Sequence, residues 1–151
     1  MSAKQLAAEA AAFIAKESSI PQHDIAIVLG SGWSPAAEFF GNVTCEIPYQ
    51  DIAGFGAAGV TGHSGVARSI DLGNGKHALV FLGRTHFYEG KGVDAVVHAV
   101  RTAAAAGVKS IVLTNACGGL QPHWKPGTPV LISDQINFTG PVSYTHLTLP
   151  T

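Results

Sequence analysis

Charge is scarce in this chain. Only 13% of its 151 residues are Asp, Glu, Lys or Arg, against about 25% in typical soluble domains. The charge present is balanced, nine Lys and Arg against ten Asp and Glu. No basic stripe exists to neutralise a nucleic-acid backbone, so no nucleic-acid partner is expected. Cysteine is equally sparse. Cys45 and Cys117 have no neighbouring Cys and no metal-ligand spacing, which argues against a disulfide framework and for a reduced, intracellular protein. No His/Cys/Asp cluster has metal-ligand spacing, so no metal is expected. No apolar run approaches the roughly 20 residues that cross a bilayer. The N-terminus, Met1 to Leu6 and then Ala-rich, lacks a basic region followed by a strongly apolar one. The expected location is the cytoplasm, with no membrane partner.

Hydrophobic residues, by contrast, make up 46% of the chain. A chain of this length is expected to form one domain and to bury roughly 70% of its unfolded surface. Residues 2–18 read as a helix: Ser2 and Gln5 have capping-box spacing, and Leu6, Ala10, Phe13 and Ile14 fall on one face. Residues 25–29 are a continuous apolar run that suits a strand buried on both faces. A short helix is expected through 36–40, and 41–64 reads as loop. Residues 66–72 and 76–82 flank Asn74-Gly75, a strong hairpin signal, and 77–82 looks like a central strand. Residues 94–106 read as a helix ending at Gly107. Residues 110–114 read as another buried strand, and 129–132 as strand-like after a Pro/Gly-containing turn. Strands alternating with helices predict an α/β fold, and the hairpin makes its central sheet mixed.

Three of these strands end in chemically suggestive breaks: Gly30-Ser31-Gly32, Gly83-Arg84-Thr85-His86 and Asn115-Ala116-Cys117-Gly118-Gly119. Open α/β sheets bind ligands just beyond strand C-terminal ends. Glycines let backbone N–H groups approach an anion, Arg84 offers a planar fork for two phosphate oxygens, and Ser31 and His86 add donors. An oxyanion such as phosphate fits. Each piece also has a plainer reading. Small-residue turns after strands are common, His86 and the Gly-flanked His63 could be structural histidines, and Cys117 has no base placed for it. His77 and His98, on a strand and a helix, read as structural. Neither a dinucleotide fingerprint nor a P-loop is present, because the glycine spacing and the Gly-Lys-Ser/Thr step are missing.

Together the segments resemble a known family. Leu29-Gly30-Ser31-Gly32, Gly62-His63-Ser64-Gly65, Gly83 to Gly90 and Thr114 to Leu120 stand in the order and spacing of trimeric, 6-oxopurine-type purine nucleoside phosphorylases, and Leu131 to Asn137 continues the match. The resemblance covers residues 5–140, and its details are most similar to bacterial members. It implies a fold of that type, phosphorolysis of purine nucleosides to free base and ribose 1-phosphate in purine salvage, phosphate as co-substrate with no cofactor, and a homotrimer at full length. It further implies that Ser31, His63, Arg84, His86 and the Ala116 amide hold phosphate, that Tyr88 lies against ribose, and that His86 and Glu89 take catalytic parts.

Two features depart from the pattern. Cys117 stands where these enzymes usually have Ala; the related methylthioadenosine phosphorylases have Cys there, while Tyr88-Glu89-Gly90 favours the inosine/guanosine type. The match also fails after Gly140. Residues 1–140 are therefore expected to be the N-terminal part of a single phosphorylase domain and 141–151 a non-native tail, with the 151-residue chain inactive by itself. The alternatives are a non-catalytic phosphate- or nucleotide-binding remnant and a methylthioadenosine phosphorylase relative.

Overall fold

The computed structural model describes residues 1–56 and 65–136. The expectations for His63 and for the 141–151 tail lie outside the described residues. The chain divides into two compact units, Met1–Ala116 and Cys117–Thr151.

The first unit opens with helix α1 (Ala3–Ser18). Its first turn is closed as the sequence predicts: the Gln5 amide donates to Ser2 Oγ at 3.2 Å, and the Ser2 amide donates to the Gln5 side chain at 2.9 Å. A cap of this kind contributes about 1 kcal/mol. The buried stripe is Ala7, Ala10, Ala11 and Ile14. It is built mainly from alanines, which let the helix lie close against what it covers.

Five strands form one mixed sheet: β1 (Ile25–Leu29), β2 (Asn42–Pro48), β3 (Val66–Gly73), β4 (Lys76–Leu82) and β5 (Ser110–Leu113), in the order β2-β3-β4-β1-β5. β1 runs parallel to both β4 and β5, while β3 is antiparallel to β2 and β4. β4 is thus the central strand, as its apolar run predicts. The hairpin turns at Asn74 (φ 55°) and Gly75 (φ 71°), the left-handed pair a tight two-residue turn requires.

Strand alternation sends side chains to two cores. Ala26, Val28, Leu79 and Phe81 join Ile14, Ile47, Tyr49, Ile52 and Ala103 on one side. Leu29, Ala78, Val80 and Leu82 join Ala37 and Ile70 on the other. Helices α2 (Gly92–Val96) and α3 (His98–Ala105) follow β4 and lead to β5.

Four expectations need correction. The stretch read as loop contains β2, whose Asn42, Thr44 and Glu46 are exposed and whose only buried residue is Ile47; pairing with β3, not an apolar pattern, makes it a strand. The single helix expected over 94–106 starts at Gly92 and is interrupted at Val97, where ψ opens to 1° at the second of two β-branched valines, which crowd a helical turn. Strand β5 forms, but it is an exposed edge: Ile111, Val112 and Leu113 are 36, 45 and 61% accessible, since among the described residues only β1 pairs with it. Residues 129–132 form no strand. In the second unit the described backbone is turns, with Trp124 N donating to Gln121 O and Thr128 N to Lys125 O, both at 3.0 Å. Leu131 is 97% exposed, and strand propensity without a ladder partner does not make a strand.

Candidate active site

Because β4, β1 and β5 are adjacent and parallel, their C-terminal ends open on the same edge of the sheet. The ladders extend one residue beyond the strands: Gly83 N donates to Leu29 O at 3.2 Å and Thr114 N to Val28 O at 3.0 Å. Thr114 locks two of the ends together. Its hydroxyl donates to Val28 O at 3.0 Å and accepts from Gly30 N at 2.9 Å. Trp33 closes the first loop by donating its amide to Gly30 O at 3.0 Å, and its indole N–H reaches Asn115 O at 3.2 Å.

Arg84 leaves β4 and crosses the Gly30 backbone. A Cβ at Gly30 would lie 2.2 Å from Arg84 Nη1 and 2.6 Å from Thr114 O, so only glycine lets the guanidinium and the β5 end approach together. The half-buried Arg84 makes no ion pair among the described residues; its contact there is Nη1 to Thr114 O at 3.4 Å. A guanidinium carries five donors. Among the described residues, most of this one's meet no acceptor.

Ser31 is exposed in the turn beside it, and Ala116 is exposed near the start of the third loop. The structure therefore brings Ser31, Arg84 and Ala116 to one sheet edge. His86 and Tyr88 follow two and four residues after Arg84 and stack on each other, with ring centroids 5.0 Å apart and planes inclined by 16°. Tyr88 is 75% exposed. Glu89 folds back on this tract: Oε1 accepts from His86 N at 2.6 Å, and Oε2 pairs with Lys91 Nζ at 2.8 Å. The His86 amide first, and Lys91 second, hold the Glu89 carboxyl below its ordinary pKa. An ionised Glu89 braces the turn that presents His86.

Three contributors escaped the sequence reading. Thr114 stood at the end of a strand and the head of a family motif but was given no role, although a hydroxyl there bridges two strand ends. Lys91 carries no motif. Tyr49 donates its buried hydroxyl to Gly83 O at 2.8 Å, yet it stands in a stretch with no periodic signal. Among the described residues, no group of three His, Cys, Asp or Glu could hold a metal ion, and no helix is long and apolar enough to cross a membrane.

Residues 24–148 match the Phosphorylase superfamily. A purine nucleoside phosphorylase from Cellulomonas sp is 54% identical over 138 residues, covering 89% of this chain and 49% of that protein. One from Mycobacterium tuberculosis is 46% identical over 135 residues, covering 89% and 50%. The chain spans about half the length of these relatives. Among solved structures, the Schistosoma mansoni purine nucleoside phosphorylase in complex with acetate superposes with a TM-score of 0.68 at 35% identity, covering 80% of this chain and 43% of that one. The second isoform from the same organism, in complex with cytosine and ribose-1-phosphate, gives 0.66 at 31%, covering 76% and 39%.

Proposed function

Since the chain belongs to the Phosphorylase superfamily, we propose that its three converging strand ends are the phosphate-holding side of a purine nucleoside phosphorylase. The reaction would be phosphorolysis: a phosphate oxygen bonds to the anomeric carbon of a purine nucleoside as the bond to the base nitrogen breaks. Free base and ribose 1-phosphate result. Positive charge accumulates on the ribosyl group in the transition state, and a phosphate dianion fixed against it is both nucleophile and electrostatic stabiliser.

In this reading Arg84, Ser31, His86 and the Ala116 amide grip phosphate, His63 stands beside them, and Tyr88 supports the ribose. Glu89 acts by holding His86. Phosphate is the co-substrate, and no metal or organic cofactor takes part. At the length of its relatives the protein would be a cytoplasmic homotrimer, which the low charge content supports. The observation that carries the proposal is Arg84, a half-buried cation over Gly30 with, among the described residues, one 3.4 Å carbonyl contact. Its test is phosphate-dependent release of hypoxanthine from inosine by the chain joined to the remaining portion of the Cellulomonas relative. Release that does not depend on phosphate, or no release from a folded protein, would overturn it.

A further inference from the structure

Resting on that phosphate-site reading, we propose that Tyr49 is a positioning residue for the anion site, its hydroxyl setting the peptide plane from which Arg84 departs. The Gly83 carbonyl and the Arg84 amide nitrogen belong to one planar peptide. Fixing the carbonyl oxygen therefore fixes the direction in which the chain enters Arg84. Tyr49 Oη donates to that oxygen at 2.8 Å, and Gly83 N is held from the other side by Leu29 O at 3.2 Å.

The tyrosine is itself immobilised. It is 6% exposed, with its ring 4.9 Å from Phe55. Phe55 stacks on Phe81 at 5.7 Å and meets the edge of His98 at 4.8 Å. His98 is tied to Ala53 O at 2.9 Å. This aromatic cluster needs only a six-membered ring; phenylalanine would fill the same volume. The hydroxyl is surplus to packing, and burying it is offset by the bond it makes. Tyr49 also donates its amide to Gly65 O at 2.7 Å, and Gly65 lies two positions beyond His63 in the sequence. One residue thus ties down the start of the Arg84 tract and the residue at which the His63 segment ends.

The test compares the wild-type chain with Tyr49→Phe and with Phe55→Leu, which loosens the same cluster but keeps the hydroxyl. Inorganic phosphate is titrated calorimetrically, and amide exchange is followed at Arg84 and Thr85. Tyr49→Phe is expected to weaken phosphate binding roughly tenfold, because a buried carbonyl loses its partner, and to speed exchange at both amides. Phe55→Leu should leave phosphate affinity within about twofold of wild type, because the Tyr49 hydroxyl keeps its bond to Gly83 O. Wild-type affinity in Tyr49→Phe overturns the inference alone, as does an equal loss in both variants, which would make Tyr49 an ordinary core residue. Absence of phosphate binding in a folded wild-type chain overturns the phosphate-site reading and this inference with it.

Discussion

Strands β1 and β4 are finished differently at their two ends. At the N-terminal ends, charges meet partners. Asp24 accepts from Lys76 Nζ at 2.7 Å and from His77 N at 2.9 Å, and its own amide donates to His77 O at 2.8 Å. His23 is 1% exposed, with Nε2 2.8 Å from Ser69 Oγ; His77 Nδ1 is buried with no hydrogen bond among the described residues. At the C-terminal ends the side chains shrink to Gly30, Ser31 and Gly83, and among the described residues Arg84 has one long contact. The first end is built for stability. The second leaves Arg84 with few partners among the described residues, and on the function proposed above an anion would complete it.

Arg84→Ala should break the comparison most sharply. Removing the guanidinium is expected to weaken phosphate binding roughly 100-fold, the size of a charge-assisted pair lost from a partly buried site. Thermal stability should barely move, since the side chain supports little else. Calorimetric titration with phosphate beside a melting curve measures both. A large drop in stability with intact phosphate binding would make Arg84 a structural residue.

Gly30→Ala comes next, and it should damage both properties. The new methyl group meets Thr114 O at 2.6 Å, a backbone atom that cannot swing aside as the guanidinium can. Separating the β1 and β5 ends is expected to cost about 2 kcal/mol, within the range for overpacking, and to displace Arg84. Urea unfolding and the same phosphate titration check it; an alanine tolerated on both counts would show that the strand ends are looser than the Thr114 bridge implies.

The closed end is expected to respond to acid. Burial first, and His77 second, lower the His23 pKa from 6.5 to about 4. The unfolded chain therefore takes up this proton before the folded one does. The stability His23 contributes is fully present above pH 6.5 and falls as pH drops towards 4. Over the interval from pH 7.5 to 5 the loss should be about 2 kcal/mol. His23→Gln, which keeps a hydrogen-bonding group towards Ser69, should flatten that slope in urea titrations at the two pH values. An unchanged slope would place the acid sensitivity elsewhere.

How much of this was legible in the sequence follows from the range of the interactions. The α1 cap, the Asn74-Gly75 turn and the apolar runs of β1 and β4 rest on signals within a few residues, and the fold has all of them. Arg84 after an apolar run, with glycines after β1 and β4, marks the open end in the sequence alone. Strand β2 was hidden because its exposed Asn42, Thr44 and Glu46 become a strand only through β3, and Arg68 joins the two by reaching Glu46 at 2.6 Å. The burial of β5 is not legible locally because it depends on a neighbour that local sequence does not specify. Tyr49 was invisible for the same reason: its partner is 34 residues away.

The smallest effect is expected from Asp24→Asn, and it sharpens the comparison by being small. The amide keeps an oxygen to accept from His77 N and loses only the charge facing Lys76, whose side chain is 63% exposed; exposed ion pairs contribute little. Lys76 first, and the His77 amide second, hold the Asp24 carboxyl below its ordinary pKa, so the wild-type group is ionised at pH 7.5 and at pH 5. The carboxylate also favours a protonated His23. Removing it pushes that imidazole further from protonation, a change visible only near or below pH 4, where His23 itself titrates. Wild type and variant should therefore differ by the same small margin in urea midpoint at both higher pH values, and should coincide in phosphate affinity throughout. A loss of phosphate affinity in Asp24→Asn would mean that the two ends of β1 are energetically coupled through the strand, and the division between a closed end and an open end would fail.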